Sequence, residues 1–145
     1  MLQISELSKT YQGAGHKVEA LSDINLNLKA SDFVAITGPS GCGKSTLLLV
    51  AGGMLHPTQG SVTINGNAIY SLSDNKRTHF RASNIGFIFQ EFHLIPYLNV
   101  LENVLAPTLA QPIEDAEVKA RDLLEKLQLS ERLKHKPAAL SVGEQ

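Results

Sequence analysis

Apolar and polar residues alternate in two stretches near the N-terminus. "LQISEL" at 2–7 and "INLNLK" at 24–29 place apolar side chains at every second position. This pattern is typical of strands with one face on the core and the other in solvent. The segment "QGAGHK" at 12–17 between them is rich in glycine and polar residues and predicts a turn. We therefore expect an antiparallel pair of strands at the start of the chain.

Two further stretches are continuously apolar rather than alternating. "FVAIT" at 33–37 lies between polar and glycine-rich residues, and "NIGFIFQ" at 84–90 has the same character. Short runs of this kind predict strands buried on both faces. "GSVTING" at 60–66 predicts a strand that enters an Asn-Gly turn, with residues 67–70 returning as a hairpin. The mixture of buried and half-buried strands, joined by helices, indicates an α/β fold.

Helical periodicity and capping residues predict four helices. The first begins at Lys44 and ends at the glycine pair 52–53, and the second is capped by Ser71 or Ser73. The third is short and closed by Pro107, and the fourth spans 113–129. On the fourth helix five apolar residues share one face, which we expect to be buried: Ala116, Ala120, Leu123, Leu124 and Leu127.

Composition restricts the class of protein. The 145 residues suffice for one domain with a core, and 43% apolar with 19% charged residues is ordinary globular composition. A net charge of −1 argues against nucleic acid as a partner. Cys42 is the single cysteine, so no intrachain disulfide forms and a reducing compartment fits. No signal peptide is indicated, and the longest apolar run, "LLLVA", is too short to cross a bilayer, so we expect no direct membrane insertion.

The glycine-rich stretch "GPSGCGKST" carries the clearest chemistry. It matches the phosphate-binding pattern G-x-x-x-x-G-K-[ST] in full, with a predicted strand before it and a helix after it. Glycines let backbone N–H groups turn inward around phosphates, and the helix presents its positive end to the same anion. The predicted cofactor-binding residues of this loop are Gly38, Pro39, Ser40, Gly41, Cys42, Gly43, Lys44, Ser45 and Thr46.

Within the loop, three side chains receive distinct predicted roles. Lys44 would reach the β- and γ-phosphates of a nucleotide, and Ser45 would be a Mg²⁺ ligand. Thr46 would add a hydroxyl near the α-phosphate. The sequence thus predicts binding of ATP with Mg²⁺.

From Met1 to Gln145 the sequence resembles the ATP-binding subunits of ABC transporters. The phosphate loop is one feature, and Tyr11 stands upstream of it where the family stacks an aromatic ring on adenine; packing of Tyr11 in the sheet is the alternative. Gln90 ends "IGFIF" like the family glutamine that reaches Mg²⁺ and the attacking water. Lys44 and Gln90 are therefore the predicted catalytic residues, and Ser45 and Gln90 the predicted metal ligands.

The last feature of the resemblance is "LSVGEQ" at 140–145, which is similar to the family signature LSGGQ. Ser141 and Gly143 match the signature, and the resemblance implies that they contact the nucleotide of a second copy in a head-to-tail homodimer. Val142 departs from the usual glycine, and Glu144 is an added acidic variant. The stretches around 71–100 resemble the subgroup that serves lipoprotein release, macrolide export and cell-division permeases; a general importer ATPase is the alternative.

The resemblance also implies a membrane partner. In the family, the region of Phe92–Val100 meets a transmembrane permease, which would hold this chain in the cytoplasm, peripheral on the inner face of the plasma membrane. Five apolar residues of this predicted loop fit such a docking surface: Phe92, Leu94, Ile95, Tyr97 and Leu98. The alternative is that these side chains pack inside the helical subdomain.

The resemblance divides the chain at the family glutamine. We expect antiparallel strands and the phosphate-loop core in 1–90, and a partial helical subdomain in 91–145. The family then has a strand ending in Asp and a catalytic Glu, followed by a switch histidine, and the sequence contains no matching stretch. We therefore expect an incomplete ABC domain without its C-terminal core strands, whose bare "FVAIT" strand makes the chain marginally stable.

The sequence is compatible with three functions. The first is an ATP-binding subunit that uses MgATP to drive transport through a separate permease. The second is a catalytically incomplete fragment that binds nucleotide or partner without turnover. The third is a stand-alone kinase-like enzyme, which would need an acceptor site and an arginine-bearing lid. A GTPase is disfavoured because the sequence contains no N-K-x-D.

Overall fold

The computed structural model describes residues 1–13 and 15–145. They form two compact units, Met1–Ile85 and Gly86–Gln145. The functional boundary that we placed after Gln90 stays a prediction. The turn predicted at 12–17 contains Ala14, which lies outside the described residues.

The first unit contains a sheet in which every neighbouring pair of strands is antiparallel. The strand order is β2-β1-β3-β4. The strands are β1 (Leu2–Gln12), β2 (Lys17–Leu28), β3 (Gln59–Ile64) and β4 (Asn67–Ala68). Ile4 of β1 lies between Leu26 of β2 and Val62 of β3, so the alternating pattern places apolar residues on one face. Both the predicted antiparallel pair and the Asn-Gly hairpin are confirmed.

The helix predicted to begin at Lys44 is confirmed as α1 (Lys44–Ala51), and it packs against this sheet. Val50 is fully buried in the core of the first unit, together with Ile4, Leu7, Leu21, Val62 and Ile69. The helix ends at Gly52, whose N–H donates to the Leu48 carbonyl. Gly53 follows at φ 73°, a left-handed conformation that suits glycine.

The hydroxyl of Tyr70 contacts the end of α1 and the segment that follows it. The chain passes through a 3₁₀ turn at Ile69–Ser71, and the Tyr70 hydroxyl oxygen lies 2.5 Å from the Val50 carbonyl and 2.7 Å from the Leu55 carbonyl. Burial of this hydroxyl raises the pKa of Tyr70 to about 12. Helix α2 (Asp74–Asn84) follows with Ser73 at its N-cap position, one of the two predicted caps.

Two predicted strands are wrong. Residues 33–37 and 84–90 are not in strands, and Phe33 and Ile88 are 97% and 100% exposed. A strand requires a neighbour to accept and donate its backbone hydrogen bonds, and no described residue pairs with either segment. The exposure of Phe33, Val34 and Ile36 is what we expect for a segment without neighbouring strands.

The second unit is helical. It contains α3 (Val100–Leu105) and α4 (Ala116–Lys126), with 3₁₀ turns at Ala106–Leu109, Ser130–Arg132 and Pro137–Ala139. Ala120 and Leu124 of α4 are buried, as the apolar face predicts. The same prediction is wrong for Leu123 and Leu127, which are 55% and 68% exposed, because α4 packs along only one edge of that face.

None of the helices described in residues 1–13 and 15–145 is both long and apolar enough to cross a bilayer.

Candidate functional site

The phosphate loop adopts the turned backbone that its glycines permit. Gly41 and Gly43 have φ of 81° and 94°, in the left-handed region where a side chain is unfavourable. Helix α1 begins directly after them, and its first intrahelical hydrogen bond runs from the Leu47 N–H to the Gly43 carbonyl, 2.8 Å. The N–H groups of the preceding residues in this first turn therefore have no intrahelical acceptor and can bind an anion.

Gly43 also lies against the sheet. A Cβ atom on Gly43 would overlap the carbonyl oxygen of Ala20 and lie 3.2 Å from a methyl group of Leu21. Ala20 is the extra residue of β2 where the register shifts between Lys9 and Thr10 of β1. The bulge in β2 thus sets how closely the phosphate loop approaches the sheet, and only glycine fits there.

Lys44 folds back across the loop. Its Nζ donates to the carbonyl of Gly38, 2.9 Å, and to that of Pro39, 2.7 Å. The Sγ of Cys42 lies 3.7 Å from the same nitrogen. The ammonium group therefore sits over the loop with neutral carbonyl partners, which an anion with full negative charge can replace.

The remaining hydroxyls of the loop lie in the first turn of α1. Ser45 is exposed, and Thr46 is half-buried. A serine hydroxyl is an oxygen ligand of the kind that Mg²⁺ prefers, so the chemistry of Ser45 fits the predicted metal role. Among the described residues, no group of three or more His, Cys, Asp or Glu side chains is arranged to hold a metal ion by itself.

Tyr11 lies next to the phosphate loop. Its hydroxyl oxygen is 3.5 Å from Oγ1 of Thr46, and its side chain is 41% exposed at the end of β1. The structure thus brings the predicted aromatic residue and the predicted phosphate loop together within the first unit. Lys9, two residues earlier on β1, places its Nζ over the Tyr11 ring, 5.3 Å from the centroid.

The other predicted site residues belong to the second unit. Gln90 is exposed in a loop, not at the end of a strand as predicted. Ser141 and Gly143 are exposed in the turn that ends the chain. A Cβ on Gly143 would meet no atom within 4 Å, so this glycine leaves open space beside Ser141.

Glu144 holds the signature turn. Its Oε2 accepts hydrogen bonds from both the N–H and the hydroxyl of Ser141, each 2.8 Å, and its Oε1 accepts from Nε of Arg132, 2.9 Å. The bond from the Ser141 amide, and next the Arg132 bond, lower the pKa of Glu144 to about 2. Arg132 could not be predicted from the sequence, because nothing in the local pattern connects it with a residue 12 positions later.

The five apolar residues predicted to form a docking surface at 92–98 differ in their exposure. Phe92 and Tyr97 are exposed, whereas Leu94, Ile95 and Leu98 are half-buried in the second unit. Asn103 of α3 holds this loop: its Oδ1 accepts from the Ile95 N–H, 2.7 Å, and its Nδ2 lies 3.1 Å from the Ile95 and Leu98 carbonyls. Leu94 helps to line a cavity of about 200 Å³ between α3 and α4.

The chain is similar in sequence to known proteins. The family model described as ABC transporter matches residues 21–145. The lipoprotein-releasing system ATP-binding protein LolD 1 of Rhodopirellula baltica is 46% identical, over 99% of this chain and 64% of its own length. The macrolide export ATP-binding/permease protein MacB of Bdellovibrio bacteriovorus is 41% identical, over 100% of this chain and 22% of its own length.

Solved structures show the same fold. A dimeric bacterial ABC transporter cassette superimposes with a TM-score of 0.91 at 38% identity, over 99% of this chain and 65% of its own. A dimeric post-hydrolysis cassette bound to ADP and Pi has a TM-score of 0.87 at 39% identity, over 97% of this chain and 63% of its own. The chain thus spans just under two thirds of the lipoprotein-releasing relative and of both solved cassettes. The extent of these matches shows that the chain belongs to the ABC transporter family, in the subgroup of the lipoprotein-releasing and macrolide-export ATP-binding proteins.

Proposed function

We propose that this chain is the ATP-binding subunit of an ABC transporter and binds MgATP through the loop at 38–46. The observation that carries the proposal is the loop itself, in which left-handed Gly41 and Gly43 lead into the N-terminus of α1 beneath the ammonium of Lys44. This combination offers backbone donors, a helix dipole and the positive charge of Lys44 to the same anion. A relative solved with ADP and Pi supports a nucleotide as the ligand.

Binding would exchange the partners of Lys44. Its contacts with the Gly38 and Pro39 carbonyls are hydrogen bonds to neutral acceptors, and phosphate oxygens are stronger acceptors because they carry charge. Ser45 would hold Mg²⁺, which supplies charge neutralisation at the phosphates when bound. Tyr11, beside Thr46, would then receive the base at the other end of the nucleotide.

For the whole protein we propose ATP hydrolysis coupled to transport. Gln90 would help to position Mg²⁺ and the attacking water, as the family resemblance implies. We assign no general base, because the sequence contains no apolar run followed by Asp-Glu. The kinase-like alternative is not favoured, since the relatives are named as ATP-binding proteins of transport and release systems.

We propose two protein partners. A second copy would pair head-to-tail, with Ser141 and Gly143 facing the nucleotide of the other copy; dimeric solved relatives support this arrangement. A transmembrane permease would dock near Phe92–Val100, where exposed Phe92 and Tyr97 offer apolar contact area. Docking would place the chain on the cytoplasmic face of the membrane.

Calorimetric titration of MgATP into this chain tests the proposal. Lys44→Ala should reduce the affinity for MgATP at least tenfold, because it removes the ammonium group that would bind the phosphate oxygens. Lys29→Ala is the matched control, since Lys29 is an exposed lysine directly after β2 in the same unit. Equal affinities of the Lys44 and Lys29 variants would overturn the assignment.

A further inference from the structure

Lys9 and Tyr11 form a pair on one face of β1. The strand is regular from Lys9 to Tyr11, because the extra residue of the adjacent bulge, Ala20, belongs to β2. Side chains two positions apart on a strand point to the same side. Nζ of Lys9 consequently lies over the Tyr11 ring, 5.3 Å from its centroid, within the range of a cation–π interaction.

Two further contacts restrain this pair. The Lys9 ammonium donates a hydrogen bond to the His56 carbonyl, 2.8 Å, in the segment that leads into β3. At the opposite end of the ring, the Tyr11 hydroxyl lies 3.5 Å from Oγ1 of Thr46. The strand around them is tied by the Thr10 N–H, which donates to Oγ1 of Thr58, 2.9 Å. The ring is thus held by its face and by its hydroxyl although it is 41% exposed.

An aromatic ring has two faces, and Lys9 covers one of them. Tyr11 is 41% exposed, so the face that Lys9 does not cover is available to a flat ligand. A ring that is already oriented loses less freedom when a base stacks on it, so restraint in the free protein increases affinity. The cation also draws electron density from the covered face, which favours stacking of an electron-rich purine on the opposite face.

We propose that Lys9 is a positioning residue for the base of the bound nucleotide: it holds the Tyr11 ring and leaves one ring face for the purine. This inference rests on the proposed function, because it assumes that the loop at 38–46 binds the phosphates. Lys9 then contributes to binding of the base and not to binding of the phosphates. The contribution of Lys9 is therefore confined to ligands that carry a base.

The test compares MgATP with magnesium tripolyphosphate, which has the phosphates without the base. Both are titrated calorimetrically into the 145-residue chain and into Lys9→Ala, Lys9→Arg and Lys17→Ala. Lys9→Ala should weaken MgATP about threefold, the size expected for an exposed cation–π contact, and leave tripolyphosphate unchanged. Lys9→Arg should retain most of the MgATP affinity, because arginine can also place a cation over the ring. Lys17→Ala, which removes an equal charge at the same end of the sheet, should change neither ligand.

A double-mutant cycle with Tyr11→Ala gives the decisive measurement. If Lys9 acts through the ring, Lys9→Ala has no further effect on MgATP once Tyr11 is alanine. Weakening of tripolyphosphate by the same factor as MgATP would show that Lys9 serves the phosphates and would overturn the inference. An unchanged MgATP affinity in Lys9→Ala would overturn it as well. If the unsubstituted chain bound neither ligand, the proposed function would fail, and this inference with it.

Discussion

The hydroxyl oxygen of Tyr11 lies 3.5 Å from the hydroxyl oxygen of Thr46. Tyr11 is at the end of β1, and Thr46 is in the first turn of α1. A contact between residues 35 positions apart therefore joins the end of an inner strand of the antiparallel sheet to the phosphate loop. In the proposed function, this contact sets the distance between the base and the phosphates of one nucleotide.

The first prediction separates the ring of Tyr11 from its hydroxyl. Tyr11→Phe should lower MgATP affinity no more than about threefold, because it removes one long hydrogen bond worth about 0.5 kcal/mol. Tyr11→Ala should lower it about tenfold, because stacking of a base on an aromatic ring contributes roughly 1–3 kcal/mol. Isothermal titration of both variants measures the difference. Equal losses in the two variants would mean that the hydroxyl, and not stacking, supplies the contribution of Tyr11.

The second prediction concerns the close approach of Gly43 to Ala20. Gly43→Ala should destabilise the first unit by about 3 kcal/mol, because the methyl group meets a backbone carbonyl and the residue has positive φ. Gly41→Ala is the matched control with φ 81° and open space around the added methyl group, and it should cost only about 1 kcal/mol. Urea unfolding followed by circular dichroism compares them. A Gly43→Ala variant no less stable than Gly41→Ala would contradict the proposed packing.

The third prediction concerns the buried hydroxyl of Tyr70. Tyr70→Phe should lower the free energy of unfolding by about 1–2 kcal/mol, because the Val50 and Leu55 carbonyls lose their contact with the hydroxyl. Tyr97→Phe is the control, since Tyr97 is 73% exposed. Thermal unfolding of the two variants should differ in midpoint, and a similar midpoint would argue against the hydrogen bonds.

The pKa of Tyr70 adds a pH dependence to this prediction. Burial raises the pKa of Tyr70 from 10.0 to about 12, so the folded state disfavours its phenolate. The corresponding stability is fully present below pH 10 and is lost as the pH rises through about 12. In Tyr70→Phe that alkaline loss should be smaller. Denaturant midpoints measured from pH 9 to pH 12 in both proteins provide the comparison.

The fourth prediction concerns Glu144 in the signature turn. Hydrogen bonds from Ser141, and then from Arg132, lower the pKa of Glu144 from 4.5 to about 2. The ordering of the turn by this carboxylate is therefore present above pH 4.5 and is lost as the pH falls through about 2. The amide proton of Ser141, which donates to the carboxylate, should shift in NMR spectra over this acid range.

Three variants test that assignment. Glu144→Gln should abolish the acid shift of the Ser141 amide, because no carboxylate remains to titrate. Arg132→Ala should move the shift to higher pH, since it removes a donor that stabilises the ionised carboxylate. Glu131→Gln, at a neighbouring exposed carboxylate, should leave the shift in place. A Ser141 amide that titrates identically in Glu144→Gln would refute the contact.

In the second unit, sequence periodicity predicts only part of the buried surface of α4. The heptad-like spacing on α4 correctly predicts burial of Ala120 and Leu124, but Leu123 and Leu127 of the same predicted face are exposed. A hydrophobic stripe indicates which residues can be buried, and the width of the neighbouring surface decides how many of them are. Lys9 is a second case. Its position two residues before Tyr11 is visible in the sequence, but its hydrogen bond to the His56 carbonyl of another segment is not.

The sequence by itself determined the phosphate loop and the helix that begins at Lys44, because each depends on contacts within a few residues. It also determined which side chains of the alternating strands share a face. Glycine spacing and the alternation of side chains along a strand are local properties of the chain, whereas the pairing of strands joins residues far apart in sequence. Tertiary structure decided which apolar runs become strands, and it left 33–37 and 84–90 unpaired. It also decided that Tyr11 meets Thr46 and that Arg132 meets Glu144. These contacts join residues far apart in the chain, and their free energy depends on geometry that only the folded units supply.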